Sequence, residues 1–174
     1  MLFKTFCLFL AVFCFVWLLE PRPIIPVRDA RASDWNANSF WHENWGSSGT
    51  HKGIDIFAER GTAVLSTVPG WVIQSGELSL GGRSVKILSP GWRIHYYAHF
   101  DRIQVARFSF VGRGEPIGTV GNTGNAHRSA PHLHYSIYQL LPDLRLWDEA
   151  ANDWRRLFYI DPSRYLTATP IGEN

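Results

Sequence analysis

Leu133-His134-Tyr135-Ser136-Ile137-Tyr138 decides the fold class of this chain. The run is short, rich in β-branched and aromatic residues, and preceded by Pro131, which together read as a strand. In a strand successive side chains leave on opposite faces, so His132 and His134 stand on the same face two positions apart. Working outward, runs of the same texture occupy 54–57, 63–66, 71–74, 84–88, 94–99 and 117–120, with glycines between them. No helical stripe of comparable length interrupts residues 51–138, and no internal repeat appears. The expectation is a mainly β domain built as a compact antiparallel sheet.

The ends read differently. Lys4 precedes an unbroken apolar run at 6–19, and Pro21, Pro23 and Pro26 then forbid a continued helix. The run is shorter than the roughly 20 residues of a usual span and has no polar face. Residues 1–20 are therefore expected to form a hydrophobic helix serving as a signal peptide or membrane anchor. The chain would be exported to the cell envelope, in the periplasm or on the outer face of the inner membrane. Ala30-Arg31-Ala32 has the small-x-small form of a cleavage site, while Phe6 and Phe13 deny Cys7 and Cys14 a lipoprotein context. Residues 21–34 read as a linker and 35–174 as the domain. Within it, 35–50 reads as an irregular wall on the sheet, 142–156 as a short turn or helix, and Asp161-Pro162 onward as a tail laid over the core.

A length of 174 residues suits one domain with a real core, and a net charge of +2 gives no reason to expect a nucleic-acid partner. The only cysteines lie in the apolar run, so a metal site in the body must use histidine and carboxylate. His51 and Asp55 are four apart, and Gly53 with Ile54 and Ile56 favours an extended backbone between them. Strands about 5 Å apart bring this pair and the His132/His134 pair within reach of one cation at about 2.0–2.2 Å. Catalytic zinc takes three protein ligands and keeps one position open, so four candidates compete for three places. Spacing leaves open which of His132 and His134 is spare. His99, in Tyr97-Ala98-His99, and the spare imidazole suit proton transfer or oxyanion stabilisation. No helical His-Glu-x-x-His motif supplies a glutamate base.

The ensemble of motifs carries a resemblance. His51-x-Gly53-x-Asp55, Ala58-Glu59-Arg60-Gly61-Thr62-Ala63-Val64, Gly70, Tyr97-Ala98-His99, Gly118-Thr119-Val120-Gly121-Asn122-Thr123-Gly124 and Pro131-His132-Leu133-His134-Tyr135 resemble the lysostaphin/LytM-type zinc peptidases. The similarity covers about residues 46–141, with Asp161-Pro162 also alike. It implies a β-rich endopeptidase acting on peptidoglycan stem peptides, with one zinc ion held by His51, Asp55 and His134. It also implies that His99 and His132 are the catalytic histidines. Three positions depart from the pattern: Gly49 replaces an arginine, Ala126-His127-Arg128-Ser129-Ala130 replaces a loop of small residues, and Ser136 replaces a glutamate. The altered loop bears on substrate preference and leaves every ligand in place.

Two other functions are consistent with parts of the sequence. One is a non-catalytic wall-binding or amidase-activating module on the same fold, whose members usually lack ligands that this chain keeps. The other is an iron oxygenase, which fits the His-x-His but not the remaining motifs. Among the unassigned histidines, His95 reads as structural and His127 as a solvated loop residue. Trp41 and Trp45 read either as lining of a substrate groove or as packing on the sheet.

Overall fold

A computed structural model of the chain describes residues 22–45, 49–150 and 153–167. The expected antiparallel architecture is what it shows. Strands β1 (Ile54–Phe57), β3 (Gly70–Leu78), β4 (Gly82–Ser89), β5 (Arg93–Ala98), β7 (Phe110–Val111), β9 (His132–Gln139) and β10 (Tyr159–Ile160) form a seven-stranded sheet. Its order is β1-β9-β5-β4-β3-β7, with β10 also paired to β9. Strands β2 (Ala63–Leu65), β6 (Phe100–Ile103) and β8 (Pro116–Val120) form a three-stranded sheet in the order β2-β8-β6.

Alternation assigns the two faces of the large sheet. Ile54, Ile56, Val85, Ile87, Tyr97, Leu133, Tyr135 and Ile137 are fully buried and share one core with Val64, Phe100, Ile117 and Val120 of the small sheet. Each such aliphatic side chain contributes about 1.5–3 kcal/mol relative to exposure. His95 points into this core, as its position in β5 predicts. Its ring nitrogens face Ser89 Oγ at 3.0 Å and the Tyr135 hydroxyl at 2.7 Å. Burial, then the charge of Arg93, pushes its pKa down to about 3, so it is neutral in the core. The opposite face of β1, β9, β5 and β4 carries Asp55, His132, His134, Ser136, Tyr96 and Lys86.

The linker expected at 21–34 is corrected from Arg22 onward. Val27 is 1% exposed and bridges Val64, and the Ile24 and Arg28 N–H groups donate to Thr67 and Ala63 carbonyls at 3.1 and 3.0 Å. The Leu65 N–H donates back to the Pro26 carbonyl at 2.8 Å. The segment thus lines the edge of β2. Prolines at 23 and 26 signal a linker, but an edge needs only alternate donors and tolerates them. The apolar run at 6–19 lies outside the described residues. Among those residues, no helix is long and apolar enough to cross a membrane.

The wall and tail interlock. Single 3₁₀ turns at Ala32–Asp34 and Ala37–Ser39 flank buried Trp35, whose indole N–H donates to Ser163 Oγ at 3.1 Å. Ser163 belongs to the short helix α1 (Pro162–Thr167), which also buries Leu166. The 142–156 region holds 3₁₀ turns at Leu144–Leu146 and Trp154–Phe158, capped by the Asp143 and Asp153 side chains.

Candidate metal centre

The register of three adjacent strands builds the centre. Asp55 of β1 lies directly opposite His134 of β9, and His134 lies opposite Ala98 of β5. Ala98 is small, which leaves room beside the His134 ring. His51 precedes β1 and returns to it across Gly53. An ideal Cβ at Gly53 would sit 2.4 Å from the Tyr135 carbonyl oxygen and 2.9 Å from His134 Cε1. Only glycine lets the His51–Asp55 segment press this closely on β9.

The donor atoms converge. Asp55 Oδ1 is 3.1 Å from His51 Nε2 and 2.8 Å from His134 Nδ1, and those two nitrogens are 3.2 Å apart. Ligands at about 2.0–2.1 Å in a tetrahedron around zinc stand about 3.3 Å from one another, so the spacing matches to a few tenths of an ångström. His51 Nδ1 faces the Ser39 carbonyl at 2.9 Å, so that nitrogen carries the N–H and Nε2 carries a lone pair. Burial opposes ionisation of Asp55, but the facing His134 and His51 imidazoles hold its carboxyl well below the usual carboxylate range. Burial lowers the His134 pKa against the pull of Asp55. An ionised carboxylate facing the lone pairs of neutral imidazoles is a donor set that suits a divalent cation.

Two further imidazoles stand beside it. His132 lies opposite Phe57 in the register, with Nε2 3.9 Å from Asp55 Oδ1 and Nδ1 2.8 Å from the Ala130 carbonyl. His99 follows β5 with φ +68°, a left-handed conformation that costs a non-glycine residue about 1–2 kcal/mol. Its N–H donates to the Gly81 carbonyl at 2.9 Å, and its ring Nδ1–H donates to the Thr123 carbonyl at 2.8 Å. The His99 and His132 ring centroids are 5.0 Å apart. Burial, then the neighbouring His134 and His132 rings, pushes the His99 pKa down to about 4.

The loops that supply these contacts meet back to back. Gly82 has φ +59° and Gly124 φ +67°, and a Cβ on Gly82 would lie 2.4 Å from the Gly124 nitrogen. This contact seats Thr123 over His99. All five predicted residues, His51, Asp55, His99, His132 and His134, line one open groove of about 740 Å³.

Ser39, Ala130 and Thr123 orient the imidazoles through backbone carbonyls, which residue type alone does not disclose. A carbonyl has no signature in sequence, and only the Gly121-Asn122-Thr123-Gly124 string marked that neighbourhood. Trp45 resolves towards the groove: it lines it and stacks on His51 at a 4.2 Å centroid distance and 15° between planes. Trp41 instead packs against Phe40 and Tyr159. Lys86 and Tyr96 on the groove floor went unmarked.

Residues 49–146, which hold this entire donor cluster, match the model of peptidase family M23. The chain belongs to this family. It is 32% identical over 153 residues to the L-Ala–D-Glu endopeptidase of Bacillus subtilis, covering 83% of this chain and 42% of that protein. It is 34% identical to the murein hydrolase activator NlpD of Salmonella dublin, over 59% of this chain and 27% of that protein. The chain thus spans less than half the length of these relatives. A solved zinc-containing peptidase from Vibrio cholerae is 30% identical with a TM-score of 0.56, over 68% of this chain and 37% of that one. The catalytic domain of lysostaphin from Staphylococcus simulans, 23% identical, shares the fold with a TM-score of 0.59 over 80% of this chain and 99% of that domain.

Proposed function

We propose that this chain is a zinc-dependent endopeptidase that hydrolyses peptide bonds of bacterial peptidoglycan, its crosslinks being the first candidates. The observation that carries the reading is the convergence of His51, Asp55 and His134 donor atoms in a groove flanked by two further imidazoles. The names of the Bacillus subtilis and Vibrio cholerae relatives point the same way. His51 Nε2, Asp55 Oδ1 and His134 Nδ1 would hold one zinc ion. When bound, zinc supplies Lewis-acid polarisation of a carbonyl and a nucleophilic hydroxide near neutral pH.

The remaining chemistry falls to the chain's own side chains. His99 and His132 each commit Nδ1–H to a backbone carbonyl, which leaves Nε2 as a proton acceptor. With its pKa near 4, His99 is neutral at pH 7 and cannot donate from Nε2 at the outset. A neutral His99 is therefore suited to take a proton from the attacking water, with the His132 ring beside it. The resulting imidazolium then stabilises the oxyanion and returns the proton to the leaving nitrogen. Trp45 braces His51 from the outer side through its stack.

The apolar run at 6–19 would deliver this domain to the envelope as a signal peptide or membrane anchor. The NlpD match favours a second reading, an activator of another wall hydrolase. Release of free amines from purified sacculi separates the two. Release by the zinc-loaded protein alone supports the peptidase, whereas release only when an amidase is added refutes it.

A further inference from the structure

Two of the chain's three lysines, Lys52 and Lys86, line the groove, and among the described residues Asp55 is the sole acidic side chain that lines it. The two lysines differ. Lys52 feels the opposing charges of Asp153 and Arg155 and sits 5.9 Å from the Trp41 ring centroid. Lys86 is half-buried at the middle of β4, and among the described residues no carboxylate forms an ion pair with it. Its ammonium lies 5.4 Å from the Tyr96 ring centroid and 6.0 Å from that of Tyr138. Two aromatic faces attract the ammonium, but they offer its N–H donors no strong acceptor.

The register fixes where this cation stands. Lys86 pairs Tyr96, which pairs Ser136, two residues along β9 from His134 on the same face. Two strand spacings across and one same-face step along place the Lys86 backbone roughly 12 Å from that of His134. An extended peptide covers that distance in about three to four residues. A peptide lying across the sheet floor with its scissile bond at the metal centre would therefore pass the Lys86 ammonium.

We propose that Lys86, held between Tyr96 and Tyr138, is a specificity-determining residue that binds a free carboxylate of the substrate peptide. The inference rests on the peptidase reading, because peptidoglycan stem residues carry free carboxylates. Amidation of the recognised carboxylate removes the charge and weakens binding, so the groove distinguishes acid from amide forms of one peptide.

The test uses a synthetic stem peptide with its carboxylates free, and the same peptide with them amidated one at a time. Affinities are measured by calorimetry in the zinc-loaded full chain carrying His99→Ala, which holds the peptide uncleaved, with and without Lys86→Met or Lys86→Arg. One acid form should bind about 10- to 100-fold more tightly than its amide, the range of a charge-assisted hydrogen bond. That ratio should collapse towards one in Lys86→Met and survive in Lys86→Arg. Equal affinity for acid and amide, a ratio that persists in Lys86→Met, or a uniform loss for both forms overturns the proposal. If the unsubstituted chain cleaves no wall peptide yet keeps the acid preference, the peptidase reading fails and the carboxylate subsite stands.

Discussion

Gly53→Ala tests how the centre is assembled. The added methyl group would lie 2.4 Å from the Tyr135 carbonyl oxygen and 2.9 Å from both His134 Cε1 and Ser136 Cβ. The first of these neighbours is backbone of the central strand β9, which pairs with β1, β5 and β10 and cannot yield cheaply. The segment carrying His51 and Asp55 must back away by roughly 0.6–1 Å to relieve the clash, while His134 stays in place. Ligand distances tolerate only about 0.2 Å, so zinc affinity should fall about 10- to 100-fold. Overpacking of this kind costs about 1–3 kcal/mol, which in a chain of this size lowers Tm by roughly 2–12 °C. Competition with a chromophoric chelator reads the affinity, and thermal melting of the same sample reads the stability. Wild-type affinity together with wild-type Tm would refute the claim that close approach of this segment to β9 builds the ligand set.

Three further outcomes are expected. His99→Ala and His132→Ala should keep one zinc per chain and lose about 10²–10⁴-fold in kcat/KM; loss of zinc, or full activity, in either variant would contradict the assigned roles. EDTA should lower Tm by roughly 8–16 °C if zinc is present at about a thousand times its Kd, since that binding contributes about 4 kcal/mol; an unchanged melt would count against a native metal. Acid should destabilise the fold through His95, whose pKa falls from its ordinary value near 6.5 to about 3 on burial. The unfolded chain binds that proton below its own pKa while the folded chain refuses it, so stability is lost as pH falls between those values. The contribution is about 1.4 kcal/mol per pH unit, and urea titrations of His95→Gln should show a slope shallower by that amount; an identical slope would refute the assignment.

The antiparallel sheet was legible from short β-branched and aromatic runs set between glycines, although burial alternates cleanly in β1 and β2 and less so elsewhere. In β9, Leu133, Tyr135 and Ile137 are buried, and His132 and His134 reach the other face. The same period of two brought His134 opposite Asp55 once β1 paired with β9. What escaped was of three kinds. Segment 22–30 was hidden by its prolines, which suggest a linker but are compatible with an edge whose carbonyls still accept hydrogen bonds. The carbonyls of Ser39, Ala130 and Thr123 that orient the imidazoles could not be read, because loop geometry rather than residue type aims a backbone group. Lys86 escaped for a third reason. A single lysine in an alternating strand looks like an ordinary solvent-facing residue until the register sets it between two tyrosines in the groove.

Zinc content and wall hydrolysis measured on one preparation, for the wild-type chain and for Asp55→Ala, probe the metal centre most directly. The wild-type chain should carry one zinc ion and release free amines from sacculi, and Asp55→Ala should lose both together. Amine release at the wild-type rate from zinc-free Asp55→Ala would contradict the account.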